Sequence, residues 1–497
     1  MQYISTRDKS LHVSSAQAIK TGLSPEGGLF LPETVPTVTL EEIGALAQMS
    51  YNERAVNILK RFLTDFSQEE IVHCVNSAYS REKFETDAIA PVYKLDNNEY
   101  FLELWHGPTC AFKDMALQIL PHLLLKSIQK TGETKEVVIL VATSGDTGKA
   151  ALEGFKDVEG TRIIVFYPAE GVSDIQKRQM VTQEGNNVDV AAVIGNFDDA
   201  QSGVKKIFTD GEYKELLSRN NFMLSSANSI NWGRLVPQIV YYFSAYANLV
   251  RNNEIALGDK INFVVPTGNF GNILAGYYAK MMGLPVNKLI CASNENNVLT
   301  DFIHTGVYDK NRAFKTTASP SMDILISSNL ERLLYLLTED DAQVASWMEA
   351  LKSDGKYEVT ASVKTAIQDA FYAGFCDDEK TIEEIGKVFR ENGYVMDTHT
   401  AVAKRVYNDY VAETQDATKT VLVSTASPFK FSDNVLRAVK GDIEASNEFE
   451  MLTELASTTG TSIPKALGEL ESKPVIFRTS CEKDEMYDVV SQMLNMA

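Results

Sequence analysis

The sequence predicts an α/β protein of doubly wound parallel sheets behind a mostly helical N-terminal region. Three observations carry this. Short, almost wholly apolar runs rich in valine and isoleucine recur from residue 136 onward, each followed by a segment of helical periodicity. A strand apolar on both faces is buried on both, as in a parallel sheet covered by helices. Several of these runs end in loops of glycine and hydroxylated residues, where open α/β sheets bind ligands. The chain has 497 residues, more than one core usually supports, so two or three domains are expected.

The first hundred residues read mostly helical. Thr39 with Glu42, and Ser67 with Glu70, have capping-box spacing ahead of apolar periodic segments. "LSPEGGLFLPE" (23–33) is a turn-rich loop. The expected strands are "EVVILVA" (136–142), "TRIIVFYP" (161–168), "INFVVP" (261–266), "KLICAS" (288–293) and "TVLVST" (420–425). The stretch 330–392 reads as helical, with Thr381 and Glu384 again at capping-box spacing, and is expected to insert between strands as a cover. This suggests three units: 1–100, 101–235 and 236–497.

Net charge is −20, which argues against nucleic acid or an anionic membrane as partner, since both need a basic face. Any anionic substrate must then meet a local cationic or N–H-rich pocket. The five cysteines form no CxxC or Cys/His cluster, so no metal site is expected, and a reducing compartment fits them. No apolar run approaches membrane-spanning length and the N-terminus shows no secretory signal, so a cytoplasmic protein is expected, as monomer or small homo-oligomer.

Four loops offer chemistry. "TSGDTGK" (143–149) fails the P-loop pattern: Thr143 stands where a glycine is needed, and Ala150 replaces the magnesium-binding hydroxyl. It still offers hydroxyls and N–H groups at a helix start, which suits an anion such as a carboxylate. A plain helix cap fits equally well. "TGNFGN" (267–272) has two glycines that admit close backbone approach, and the helix after it aims its N–H groups at a ligand, a good phosphate cup. "STASPFKF" (424–431) ends a strand in hydroxyls and reads, alone, as a simple loop. "SANSINWGR" (226–234) gathers Asn228, Ser229, Asn231 and Arg234, a guanidinium with neutral donors that suits a phosphoryl group.

In "HGPTCAFKD" (106–114), Lys113 sits between Phe112 and Asp114 at the edge of an apolar segment. A snorkelling lysine would account for it. So would a Schiff-base lysine, whose amine becomes reactive once desolvation lowers its pKa. One such lysine, one phosphate cup and one carboxylate-type loop on an α/β frame suggest a pyridoxal phosphate enzyme acting on an amino acid.

These motifs, in this order, resemble the threonine synthases of the bacterial and fungal long-chain type, within the tryptophan-synthase-β-like (fold type II) pyridoxal phosphate enzymes. The resemblance covers nearly the whole chain and rests on "GLSPEGGLFLPE", "HGPTCAFKD", "TSGDTG", the Asn228–Arg234 spacing and "GNFGN". It implies that Lys113 carries pyridoxal 5'-phosphate as a Schiff base and that Gly268, Asn269, Phe270, Gly271 and Asn272 hold the cofactor phosphate. Thr425 would face the pyridine nitrogen. Ser144, Gly145, Asp146 and Thr147 would line the substrate-carboxylate side, and Asn228, Ser229 and Arg234 would hold the substrate's phosphate. The implied reaction converts O-phospho-L-homoserine and water to L-threonine and phosphate. A dehydratase or a cysteine-synthase-like enzyme would share the lysine and the cup but would need no second phosphate site. Cys110 and His106 read as scaffolding. His399, in "YVMDTHTAVAK" (394–404), is read as structural, with Asp397 or Thr398 capping the following helix.

Overall fold

The computed structural model describes residues 1–143, 145–170 and 172–496. Near the N-terminus, β1 (Tyr3–Ser5), β2 (Asp8–Val13) and β3 (Phe30–Pro32) form a small antiparallel sheet in the order β2-β1-β3. Helices Leu40–Leu46, Tyr51–Phe62 and Gln68–Ala78 follow, so the region is mostly but not wholly helical. The expected capping boxes at Thr39/Glu42 and Ser67/Glu70 both form, and Ser50/Glu53 adds a third. Each satisfies two N–H groups that the helix start leaves orphaned.

The remaining strands in chain order are β4 (Val92–Lys94), β5 (Glu99–Glu103), β6 (Glu136–Ala142), β7 (Thr161–Pro168), β8 (Val188–Val193), β9 (Phe222–Ser225), β10 (Ile261–Pro266), β11 (Val286–Ser293), β12 (Val307–Asp309), β13 (Lys356–Glu358), β14 (Phe371–Phe375), β15 (Thr420–Ser424) and β16 (Thr479–Cys481). They build a six-stranded sheet, β14-β11-β10-β15-β5-β4, and a five-stranded one, β16-β8-β7-β6-β9, with β12 and β13 pairing separately. Every pairing in the two large sheets is parallel except β4 with β5. Sheet membership does not follow chain order. β5, near residue 100, pairs with β15, while the C-terminal β16 extends the five-stranded sheet.

The stretch 330–392 is not purely helical. Its residues 371–375 form β14 and add an edge strand to the larger sheet. The expected cap at Thr381 is also displaced. Asp377 caps the helix Asp378–Asn392 through Lys380 N, and Thr381 lies inside it, donating to Asp377 O at 2.7 Å. An acidic residue before two more acidic ones suits the positive end of the helix dipole, and that placement wins. The helix Trp232–Arg251 is packed among other helices, buried on nearly every face. That is the expected position of a helix apolar all round.

Candidate active site

The site is assembled from the carboxyl ends of adjacent strands. In the larger sheet β10, β15 and β5 are neighbours, and their ends lead into 267–272, 425–431 and 104–113 respectively. In the smaller sheet β6 and β9 are neighbours, leading into 143–149 and 226–234. Loops far apart in sequence thus meet because parallel strands place their C-terminal ends side by side.

Lys113 opens the one-turn helix Asp114–Leu117, with its side chain largely covered at 11% exposure. Its loop is held by the buried Asp114, which accepts from Thr109 N at 2.8 Å and Thr109 Oγ1 at 2.7 Å. Gly107 permits this fold, since a Cβ there would lie 2.6 Å from the Asp114 carboxylate. The loop is stitched to the end of β15 by an Ala111–Ala426 bridge, by Phe112 N donating to Thr425 O at 2.8 Å, and by Ser427 N donating to Cys110 O at 3.0 Å. Cys110 is buried with a positive φ of 59°, and burial raises its thiol pKa, consistent with scaffolding. His106 lies 2.7 Å from Glu103, also outside the site chemistry.

Burial lowers the Lys113 ammonium to about 8, with Asp146 opposing and Lys430 and Arg234 adding to the depression. An amine in that range is a usable nucleophile and base near neutral pH. Asp146 Oδ2 lies 3.9 Å from Lys113 Nζ, and Asp146 Oδ1 lies 2.6 Å from Lys430 Nζ. Gln176 Nε2 donates to Asp146 Oδ1 at 3.2 Å. Burial alone would raise the Asp146 carboxyl. Lys430 and Lys113 together more than offset that and hold it well below the usual carboxylate range. Lys430, absent from the expected site, is itself fully buried and donates to Thr109 O at 2.9 Å.

In the 143–149 loop the capping role belongs to Thr143. Its hydroxyl accepts from Gly145 N and Gly148 N, both at 3.0 Å. Asp146 is engaged by the lysines, Thr147 is half-buried, and Ser144 lies outside the described residues.

The 267–272 loop has the features of a phosphate cup. Phe270 adopts φ 64°, uncommon for a bulky side chain, and buries its ring against Phe371. It precedes the helix Gly271–Met281 and makes no side-chain cap, so the first-turn N–H groups are left for a ligand. Asn272 Oδ1 accepts from Tyr241 and Tyr242 hydroxyls at 2.6 and 2.8 Å, while its buried Nδ2 has no partner among the described residues. At Gly268 a Cβ would meet Ser321 O at 2.7 Å, so only glycine fits. Asn269 O accepts from Asn329 N at 3.0 Å and from Asn329 Nδ2 at 3.1 Å, and that Nδ2 also reaches Ser229 O at 3.3 Å. Asn329, which the sequence did not single out, therefore couples the cup to the 226–234 loop. The uncapped helix start, the glycine cradle and the orphaned amide fit a phosphate-bearing cofactor beside Lys113. Thr425 is buried at the end of β15, and its side chain makes no hydrogen bond among the described residues.

Arg234 lies in the first turn of the Trp232–Arg251 helix and is 4% exposed. Its Nη1 donates to Ala227 O at 2.7 Å, and its buried Nε has no partner among the described residues. No carboxylate pairs with it among the described residues, and burial lowers its pKa to about 10. An unpaired buried guanidinium is costly unless an anion joins it. Asn231 caps the helix through Gly233 N at 2.8 Å, whereas Asn228 is exposed and accepts from Ser229 Oγ at 3.2 Å. The structure thus places Arg234 inside the site and Asn228 at its rim. No group of three or more potential metal ligands occurs among the described residues, and none of their helices is long and apolar enough to cross a membrane.

Comparison with known proteins identifies the family of the chain. Family models match three segments: "Threonine synthase N terminus" over residues 2–79, "Pyridoxal-phosphate dependent enzyme" over 85–426, and "Threonine synthase, C-terminal" over 400–485. The threonine synthase of Pseudomonas aeruginosa is 40% identical, covering 90% of this chain and 92% of that protein. Threonine synthase-like 1 of Homo sapiens is 41% identical over 86% of this chain, which spans only 58% of that longer protein. The crystal structure of pyridoxal-phosphate-bound threonine synthase from Brucella melitensis superposes with a TM-score of 0.88 at 37% identity, covering 99% of both chains. These matches show that the chain belongs to the threonine synthase family of pyridoxal-phosphate-dependent enzymes.

Proposed function

We propose that this chain is a threonine synthase, converting O-phospho-L-homoserine and water to L-threonine and phosphate. The observation that carries the reading is Arg234, a buried cation without a carboxylate partner among the described residues, close enough to Lys113 to depress its pKa. Within a protein of net charge −20, it provides the local positive field that a phosphorylated substrate needs. A dehydratase or a β-replacement enzyme has no second phosphate to place there.

Pyridoxal phosphate, when bound, supplies the electron sink that acidifies the carbon bearing the substrate amine. Lys113 would hold it, with the Gly268–Asn272 cup around its phosphate and Thr425 facing its ring nitrogen. A hydroxyl at that position does not favour a protonated ring nitrogen. Once the substrate amine displaces it, the Lys113 amine takes the proton from Cα. The Cβ proton next passes to the phosphate, which departs from Cγ as hydrogen phosphate. Protonation at Cγ, water addition at Cβ and return of the proton to Cα complete the turnover, with Lys113 Nζ as the principal carrier. Arg234 binds the phosphate before and during its departure, with Ser229 and Asn228 at the mouth. Asp146 is an anion paired with Lys430, so the substrate carboxylate is received by backbone N–H groups opening the Asp146–Phe155 helix rather than by that side chain. The five free, buried cysteines suit a reducing, cytoplasmic setting.

Replacing Arg234 by alanine is expected to raise KM and lower kcat together, with kcat/KM for phosphohomoserine falling roughly 30- to 1,000-fold, as for loss of a buried charge-assisted contact. Parental kinetics in that variant would remove Arg234 from the phosphate site and withdraw the main support for this function.

A further inference from the structure

Lys113 makes one directed contact that the motifs did not foretell. Its Nζ donates to Ser321 Oγ at 3.1 Å, on the 3₁₀ turn Pro320–Met322. Asp146 Oδ2, at 3.9 Å, is outside hydrogen-bonding distance of the same nitrogen. The turn is fixed on several sides. Its backbone sits against Gly268, and the Ser321 N–H donates to His399 Nε2 at 3.1 Å. Just beside it, Asp323 accepts from Thr317 N at 3.0 Å, Asn294 Nδ2 at 2.7 Å and Asn296 Nδ2 at 3.0 Å, while Ala318 N donates to Asp378.

His399 is 3% exposed and its ring packs on Phe431. Because Nε2 accepts from Ser321 N, the ring proton belongs on Nδ1, which lies 2.9 Å from Asp397 Oδ1. Both nitrogens are therefore engaged, and such a ring orients its neighbours rather than carrying protons. Asp397, fully buried, also caps the helix Thr398–Thr414 and accepts from the Thr400 hydroxyl. That hydroxyl lies 3.2 Å from Ser424 Oγ, which accepts from Trp105 Nε1 at 3.0 Å and immediately precedes Thr425. One buried carboxylate thus braces both the turn facing Lys113 and the strand end bearing Thr425.

We propose that Ser321 is a positioning residue for Lys113, docking the lysine amine whenever it is free, and that the Asp397–His399 pair aims Ser321 by holding its backbone N–H. During the proposed turnover the Lys113 amine is released and must reach Cα and Cγ in turn. A free lysine side chain samples many rotamers, and a fixed acceptor narrows them to those near the reacting carbons. The inference rests on Lys113 being the cofactor lysine of the proposed threonine synthase.

The test compares Ser321→Ala, Ser321→Thr and His399→Phe with the parent. Two quantities are read: the rate constant at which cofactor-free protein captures pyridoxal phosphate, followed by absorbance, and kcat and KM for phosphohomoserine. Ser321→Ala is expected to slow capture and lower kcat, each roughly tenfold, with KM within about twofold. Ser321→Thr keeps the hydroxyl and is expected to recover most of both. His399→Phe is expected to reproduce the alanine variant. Parental capture and kcat in Ser321→Ala would overturn the proposal, as would a raised KM at unchanged kcat, which would make Ser321 a substrate contact. Parental behaviour of His399→Phe would overturn the role of the His399–Asp397 pair. Should Ser321→Ala fail to fold, Ser321→Cys, similar in shape but a weaker acceptor, makes the same comparison with the same two outcomes. A parent that captures the cofactor on Lys113 without turning over phosphohomoserine would contradict the proposed function while the capture comparison still decides the role of Ser321.

Discussion

Replacing Lys430 by methionine removes the cation 2.6 Å from Asp146 and leaves the rest of the site in place. Both partners are buried, with side-chain exposures of 0% and 5%, so water cannot take over the role of the lysine. Removing one partner of such a pair costs about 3–5 kcal/mol, because the other charge stays buried and uncompensated. Thr109 O also loses a donor, while Gln176 and Lys113 retain part of the hold on Asp146. A loss of about 3 kcal/mol is therefore expected, read as a lower urea midpoint at unchanged slope. The sign with pH follows from the pair. The Asp146 carboxyl is held well below its ordinary value, so its stabilisation is full above that ordinary value and lost as pH falls. Without Lys430, acid unfolding should begin at higher pH. Lys113 should shift as well, because a repelling cation is gone and Asp146 turns to the remaining lysine. The ammonium then titrates above its present value of about 8. The double variant Asp146→Asn/Lys430→Met should be more stable than Lys430→Met alone, by about 1 kcal/mol or more. A single variant within about 1 kcal/mol of the parent, with no gain in the double variant, would refute an energetically coupled pair.

Two further outcomes follow. Acylation of Lys113 in cofactor-free protein, quantified by peptide mass spectrometry, should rise with pH around a midpoint of about 8, since burial depresses its ammonium; a midpoint at the ordinary lysine value would show that the site does not tune it. Gly268→Ala should cost about 1–3 kcal/mol and weaken cofactor retention, because its Cβ meets the Ser321 carbonyl at 2.7 Å, and parental retention on dialysis would argue against that close approach.

Much of the site is visible in the sequence because parallel strands announce their own ends. "EVVILVA", "INFVVP" and "TVLVST" are apolar runs that stop at hydroxyls or glycines; the last two are neighbours in the larger sheet, and the first lies in the smaller one. The missing strands fail for physical reasons. β5, "EYFLE", and β14, "FYAGF", contain none of the valine and isoleucine that marks the strands found, and β16 is three residues at the C-terminal edge. Lys430 could have been found. It lies in "PFKF", a lysine after a phenylalanine in an apolar run, which is the same signal that drew attention to Lys113 in "AFKD". Ser321, Asn329 and the His399–Asp397 brace carry no such signal, because their roles arise from the meeting of segments about 60 to about 210 residues apart. The Thr381–Glu384 spacing shows the opposite failure, a correct local pattern overruled by a stronger cap four residues earlier.

The most direct measurement is product analysis on cofactor-loaded protein given O-phospho-L-homoserine, with phosphate and L-threonine quantified in the same sample for the parent and for Lys113→Ala. The parent should release the two in equal amounts and the variant neither. Phosphate without threonine, no product from the loaded parent, or undiminished turnover by Lys113→Ala would contradict a threonine synthase working through Lys113.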